Sequence, residues 1–239
     1  MKIMKKKLII LLLLFSLSNP ALVENSEKKE DFDKIIEQFI LNNPEIIIKS
    51  LEQFSKNKDK LEKKISLKIL NSYYKDKIYN NFPSIGNKDT DIILTEFIDY
   101  NCGYCKKTLT TIVKLAEEIK DLKVVFIDYP ILSKSSELAA RAALAANNQE
   151  AYFKYHSLLL EQKMPITEDY LLNTAKKLNL DLKKFKEDIY SDQIKEKIGE
   201  NIQIAQSLQI RGTPTFLLGK NILPGAYDYN ILKNMILEN

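Results

Sequence analysis

Cys102 and Cys105 are the only cysteines in a chain of 239 residues, and they stand in the run Asp99-Tyr100-Asn101-Cys102-Gly103-Tyr104-Cys105-Lys106. A structural disulfide stabilises by closing a long loop in the unfolded chain, so a bridge between such close neighbours gains little. The pair therefore points to chemistry. A Cys-x-x-Cys can be half a zinc site, a haem anchor or a redox dithiol. Zinc takes about four ligands, mostly Cys and His. The chain offers no third Cys and a single histidine, His156, so a metal site would need carboxylates or a partner chain. Haem attachment requires His directly after the second Cys, where Lys106 stands. Two incidental cysteines in a helix are the plain alternative. The spacing favours a redox-active dithiol that needs neither metal nor cofactor.

The elements that must position these thiols are readable around them. Asp91 to Ile98 carries Ile92, Ile93, Leu94, Phe97 and Ile98, the pattern of a buried strand. Cys102 to Lys120 has helical apolar spacing, and Lys123 to Tyr129 is a second buried strand. Strand, crossover helix and strand form a βαβ unit with parallel pairing. Cys102 then lies where a strand hands over to a helix, whose free N–H groups and dipole favour a thiolate. On this reading Cys102 is an exposed nucleophile whose lowered pKa rests mainly on the helix end. Cys105, one turn on, is the resolving thiol. Gly103 lets a substrate chain approach and Tyr104 offers an aromatic wall.

Between Ser133 and Gln209 nothing reads as strand. Ser136–Asn148, Ala151–Glu161, Thr167–Leu178 and Asp181–Ser207 read as successive helices, with Thr167 and Asp181 as caps. Sheet structure resumes at Thr213 to Leu218, and the turn Gly219-Lys220-Asn221 leads into Ile222-Leu223 as a hairpin. Tyr229 to Leu237 closes the chain as a helix. The expected fold class is α/β, a small sheet with a helical insertion at about 133–209 between its halves.

Residues 1–21 have the composition of a cleaved secretory signal. Four lysines precede the apolar run Leu8–Leu17, and the small residues Ser16, Ser18 and Ala21 mark its exit. The run is well short of the ~20 apolar residues that span a bilayer; an uncleaved anchor is the alternative. Export would place the chain in the periplasm, an oxidising compartment where a dithiol can cycle with substrate cysteines. Removing residues 1–21 takes away four of 36 basic residues and no acid, leaving 32 against 32, which gives no electrostatic footprint for nucleic acid.

Residues 22–30 read as polar and flexible. From 31 to about 80 the pattern is helical, first with Ile35, Ile36, Phe39 and Ile40 behind a cap near Asp33. Asn43-Pro44-Glu45 reads as the start of a second helix. Ile47, Leu51 and Phe54 follow, and Leu61, Ile65, Ile69 and Tyr73 then recur every four residues. Such a stripe must be covered, by its own domain or by copies of itself in a homo-oligomer. The turn-rich run Asn81–Asn87 marks the expected boundary, with an N-terminal helical segment at 22–83 and a second domain at 84–239.

Phe97 to Cys105, a strand feeding a CxxC helix, resembles the active-site region of the thioredoxin superfamily. With the helical insertion and the late run Gly212-Thr213-Pro214-Thr215-Phe216, residues 84–239 resemble the DsbA-like branch of exported bacterial thiol–disulfide oxidoreductases. The resemblance implies a thioredoxin fold with an inserted helical subdomain and a redox-active disulfide between Cys102 and Cys105. It also implies a cis Thr213–Pro214 peptide opposite the CxxC, exposing the Thr213 backbone to a substrate peptide. Finally, it implies a buried acid at Glu96 that moves the proton of the second cysteine. Glu96 lies between Leu94 and Phe97 in an otherwise apolar run, and burial would raise its pKa; the alternative is a strand-end carboxylate in solvent. His156 reads as a packing residue rather than a catalytic one. Arg211 is either a substrate contact or a solvated charge.

Strongly oxidising members of the branch carry a His between the cysteines. Here Gly103-Tyr104, with Thr213 before Pro214, resembles the periplasmic disulfide isomerases instead. The implied partners are cysteine-containing exported proteins and a membrane redox partner. A homo-oligomer through 31–80 would suit an isomerase, and the choice between oxidase and isomerase stays open. From another class, the alternative is an envelope interaction protein on a thioredoxin-like scaffold with little redox activity.

Overall fold

In the computed structural model, which describes residues 20–238 and the side chains of 31–238, five strands pair into one mixed sheet. They are β1 (Ser84–Gly86), β2 (Ile93–Ile98), β3 (Lys123–Asp128), β4 (Thr215–Leu218) and β5 (Asn221–Pro224), in the order β1-β3-β2-β4-β5. β2 lies at the centre, parallel to β3 with Glu96 opposite Phe126, and antiparallel to β4 with Glu96 opposite Phe216. The run of branched and aromatic residues in β2, β3 and β4 is continuous because both faces of these strands are covered, and every residue in them is buried.

Alternation along β2 sends Leu94 and Ile98 to one core and Ile93 and Phe97 to the other. Glu96 shares its parity with Leu94 and Ile98. The first core is built with α3 (Gly103–Glu118), the crossover helix between β2 and β3, and with the insertion between β3 and β4. That insertion comprises α4 (Lys134–Asn147), α5 (Tyr152–Glu161), α6 (Glu168–Lys177), α7 (Leu182–Ile189) and α8 (Asp192–Ser207). α9 (Tyr229–Leu237) closes the fold beside α3. Six alanines of α4, Ala139, Ala140, Ala142, Ala143, Ala145 and Ala146, are buried, since small side chains let α5, α6, α7 and α8 all pack against one helix.

Thr167 and Asp181 cap α6 and α7 as the sequence predicts. The single helix expected over Asp181–Ser207 is two, because the Ser191 hydroxyl caps α8 by accepting from the Ile194 amide. β1 lies inside the stretch read as a break. It is only three residues long and pairs antiparallel with β3. Gly86 ends it at φ 85°, where a Cβ would stand 2.2 Å from the Leu122 carbonyl oxygen, so the glycine that signals a turn is required by the pairing itself.

The N-terminal region begins with α1 (Pro20–Asn42) and α2 (Pro44–Lys75), so residues 22–30, expected as flexible, belong to a helix. The expected signal segment lies almost wholly outside the described residues. Asn43 breaks the two helices as expected, directly before Pro44 at the start of α2. Its Nδ2 donates to the Phe39 carbonyl at 2.7 Å and so satisfies the end of α1, while its own carbonyl accepts from the Ile46 amide. Among the described residues no helix is long and apolar enough to cross a membrane.

Among the described residues the chain divides after Lys58, earlier than the boundary expected at Asn81–Asn87. The end of α2 belongs to the sheet unit: Leu70 and Tyr73 are buried in its second core with Phe97, Val125 and Ile127, and the Tyr73 hydroxyl lies 3.0 Å from Thr95 Oγ1 on β2. The buried face of this stretch is Ser66, Leu70 and Tyr73, spaced by four and three; Leu61 and Ile65 of the expected stripe face solvent. Within residues 31–58, Phe32, Ile35, Phe39, Ile47, Leu51 and Phe54 are all exposed.

Candidate active site

β2 ends at Ile98, and the chain turns through Asp99-Tyr100-Asn101 before α3 begins. The Cys102 amide donates to the Asp99 carbonyl at 3.0 Å, and the Cys102 carbonyl accepts from the Lys106 amide at 3.1 Å, which makes Cys102 the N-cap of α3. Asp99 fastens this turn. Buried, it accepts from the Asn101 amide and the Ser136 hydroxyl on Oδ1, and from the amides of Ile131 and Leu132 on Oδ2. Asn101 Nδ2 reaches Ser133, Ser135 and Ser136 at 2.9–3.0 Å. The loop carrying the thiols is thus tied to the start of α4, and Lys106 Nζ ties the first turn of α3 to the Gln162 carbonyl at 2.6 Å.

Both cysteines are free, so the site is in its dithiol form. Cys102 Sγ lies 3.1 Å from the Thr213 carbonyl oxygen, contributed from 111 residues further along the chain. The Thr213–Pro214 peptide is cis, as the resemblance implies. Cys102 is 7 % exposed rather than the open nucleophile expected, because the Thr213–Pro214 loop stands directly over it. Cys105 is fully buried behind it. Gly103 faces open space, with nothing within 4 Å of where a Cβ would sit, and the Tyr104 ring is 62 % exposed. The two residues between the thiols therefore leave room above Cys102.

The electrostatics separate the two thiols. The Cys102 pKa is lowered to about 5. The largest cause is the hydrogen bond from the Cys105 thiol; the Thr213 hydroxyl and the amides of Cys105 and Tyr104 add to it, against an opposing effect of burial. The amides of the helix end are among the causes, after the neighbouring sulfur. The Thr213 hydroxyl is itself buried and is paired with no oxygen or nitrogen among the described residues. The same sulfur–sulfur hydrogen bond, burial and the nearby Glu96 carboxylate push the Cys105 thiol up, so it holds its proton.

Glu96 is 2 % exposed, on the side of β2 that faces α3. Burial pushes its pKa up to about 8, opposed by a hydrogen bond from Thr108 and reinforced by charge on Cys102. The solvent-facing alternative for this residue is therefore excluded. His156 is fully buried, its pKa held down to about 3 by burial, and it packs against Phe126, Tyr152 and Phe153 as the sequence suggests. It also belongs to a polar chain invisible in the sequence. His156 Nδ1 lies 3.1 Å from the Tyr100 hydroxyl, Tyr100 approaches the Tyr152 hydroxyl, and Tyr152 donates to Asp128 Oδ1 at 3.0 Å. Asp128 is a second buried acid, pushed up to about 7 by burial. Arg211 is exposed and lines, with Thr213, Pro214 and Ile222, an apolar depression of about 600 Å³ beside the cis peptide.

Sequence reasoning brought together Cys102, Cys105, Glu96, Thr213 and Pro214, and the fold does place them around one point. It missed Asp99, Tyr100, Thr108, Asp128 and Ser136. The one local signal among these was Asp99-x-Asn101, the pattern of an Asx turn. A family model described as the DSBA-like thioredoxin domain matches residues 93–237.

The chain belongs to this family. The DSBA-like chain is 31% identical over 163 residues to a protein of Bacillus cereus named probable disulfide bond formation protein D, covering 63% of this chain and 76% of that one. It is also similar to the thiol-disulfide exchange protein alpha-DsbA2 of Wolbachia pipientis, with a TM-score of 0.66 and 30% identity over 76% of this chain and 97% of that one. The catalytic domain of ScsC from Proteus mirabilis superposes with a TM-score of 0.65 and 30% identity over 72% of this chain and 97% of that one. The DSBA-like fold is therefore a thioredoxin-type sheet with the α4–α8 insertion, and the family's chemistry is thiol–disulfide exchange.

Proposed function

We propose that this DSBA-like chain is an exported protein disulfide oxidoreductase that both donates and rearranges disulfide bonds in cysteine-containing exported proteins. In this reading residues 1–21 are a cleaved signal, the protein works in the periplasm, and a membrane redox partner recharges it. The observation that carries it is the pairing of a low-pKa Cys102, capping α3 under the cis Thr213–Pro214 peptide, with a fully buried Cys105. A substrate thiolate attacks the Cys102 sulfur of the disulfide form. The Cys102–Cys105 bond breaks, Cys105 leaves with the electron pair, and Glu96 protonates it. A second substrate thiolate then attacks the mixed disulfide and releases Cys102 as a thiolate. Thr213 and Pro214 face the substrate backbone, and Gly103 and Tyr104 border it.

The Cys102 pKa of about 5 supports an intermediate poise. It lies between thioredoxin, near 7 with a potential of about −270 mV, and DsbA, near 3.5 with about −120 mV. The expected potential lies between those two, where protein disulfide isomerase stands at about −180 mV. Equilibration of the Cys102–Cys105 pair with glutathione measures this. A value near −120 mV would mean a dedicated oxidase, and one near −270 mV a reductase; either would overturn the dual reading.

The exposed apolar residues of 31–58, among them Ile35, Phe39, Leu51 and Phe54, support a homo-oligomer, which would place several sites around one misfolded substrate. Light scattering of the mature chain against a chain beginning at Asp59 tests this. The cut belongs at Asp59, because Leu70, Tyr73, Tyr79 and Phe82 are core residues of the sheet unit. The mature chain should have a mass of at least twice its monomer, and the shortened chain that of a monomer. A monomeric mature chain would remove the oligomer from the reading.

A further inference from the structure

Thr108 lies on α3 three residues beyond Cys105 and is 3 % exposed. Its Oγ1 is 3.0 Å from Glu96 Oε1 and 2.9 Å from the Cys105 carbonyl oxygen. Both distances are those of hydrogen bonds, yet a hydroxyl has one hydrogen to give. When Glu96 is a carboxylate, that hydrogen must go to Oε1, since two oxygens lacking a hydrogen between them would otherwise meet in a dry core. When Glu96 is protonated, the acid can donate to Thr108, and the Thr108 hydrogen is released to the Cys105 carbonyl. One hydroxyl thereby joins the protonation state of β2's buried acid to the backbone of the buried thiol.

We propose that Thr108 is a positioning residue for proton transfer at Cys105, its single hydroxyl hydrogen switching between the Glu96 carboxylate and the Cys105 carbonyl as Glu96 loses or gains its proton. This rests on the exchange chemistry proposed above and adds a residue to it. The coupled step balances with the groups present. When Cys105 resolves a mixed disulfide, its S–H proton passes to the Glu96 carboxylate, its sulfur bonds to the Cys102 sulfur, and the bond from Cys102 to the substrate breaks. The substrate leaves as a thiolate with the electron pair: Cys105 is oxidised and the substrate sulfur reduced. Donation of a disulfide is the reverse. In each direction Glu96 changes protonation, and Thr108 holds whichever form is present. The titratable groups that interact with Glu96 are Cys102 and Cys105 at the head of α3 and Tyr152 on α5.

The test compares Thr108→Val, which keeps the shape and removes the hydroxyl, with Thr108→Ser, which restores it. The first readout is the carboxyl 13C titration of Glu96 in the dithiol protein, which does not depend on exchange activity. Loss of a hydrogen bond to a charged group should move the Glu96 midpoint up by about one pH unit in Thr108→Val, a tenfold change in acidity, and Thr108→Ser should return to the wild-type midpoint. The second readout is the pH profile of single-turnover release from a glutathione mixed disulfide, whose midpoint should move with that of Glu96. In the unsubstituted protein the Cys105 carbonyl 13C shift should also titrate with the Glu96 midpoint, which keeps the test decisive if Thr108→Val does not fold. An unmoved Glu96 midpoint in Thr108→Val, a Thr108→Ser variant that behaves as valine, or a Cys105 carbonyl that ignores Glu96 would each overturn the switch. A Glu96 shift without a shift in the release profile would overturn its part in proton transfer. Failure of the exchange reading itself would show separately, as no release in the unsubstituted protein.

Discussion

Replacing Cys102 by serine should slow thiol–disulfide exchange by at least about a thousandfold, measured as catalysed insulin reduction or refolding of scrambled ribonuclease. The attacking and leaving group in exchange is a thiolate, and a serine hydroxyl is neither ionised nor able to form the mixed disulfide. Cys105→Ala should behave differently. Cys102 remains able to attack, so a mixed disulfide with substrate accumulates because nothing resolves it. The Cys105 thiol is also the largest cause of the low Cys102 pKa. Its removal should therefore raise the thiolate titration of Cys102, followed by absorbance near 240 nm, by about one unit or more, a tenfold change in the ionisation equilibrium. A Cys102→Ser variant with wild-type activity would sink the oxidoreductase reading in favour of a binding protein on the same scaffold. An unmoved Cys102 titration in Cys105→Ala would mean that the helix end lowers the pKa after all.

The parts of this site that were legible in the sequence are those whose signal is local or carried by a family motif. Cys102 and Cys105 declare themselves by spacing, the βαβ unit by periodicity, and Thr213–Pro214 and Glu96 by the resemblance. What was not legible depends on distant segments meeting. Cys102 is covered because the Thr213 carbonyl comes within 3.1 Å of it from 111 residues away, and nothing near Cys102 announces that. Asp99 reads as an ordinary loop acid until Ile131, Leu132 and Ser136 are brought to its two oxygens. Tyr152 and Asp128 are partners only because α5 packs over β3. The burial of the end of α2 has a similar cause. Ser66, Leu70 and Tyr73 have no stronger apolar signature than the exposed Leu61 and Ile65; the sheet's second face selects which side of α2 is buried.

The buried acids carry a larger consequence for stability than for any single contact. A carboxyl whose folded pKa is raised holds its proton where the unfolded chain has already released it. Its contribution is thus complete below the unfolded pKa and is lost as pH rises through the folded one. For Glu96 that window runs from 4.5 to about 8. Each pH unit within it removes about 1.4 kcal/mol. Between pH 5 and pH 9 the dithiol protein should therefore lose about 4 kcal/mol through Glu96 alone. Asp128 acts in the same direction, from 3.8 to about 7. His156, lowered from 6.5 to about 3, acts in the opposite sense over its own window, and Cys102, lowered from 9.0 to about 5, opposes them in the dithiol form. The difference between wild type and Glu96→Gln, unfolded in urea under reducing conditions, isolates the one group. With a slope of about 2 kcal/mol per molar urea, Glu96→Gln should gain about 2 M in midpoint relative to wild type on going from pH 5 to pH 9. Because glutamine donates and accepts at the same place, Thr108 keeps a partner and the packing between β2 and α3 is preserved. Parallel pH curves for the two proteins would mean that Glu96 ionises at its ordinary value in the folded state, and that the acid beneath Cys105 cannot hold the proton that exchange requires of it.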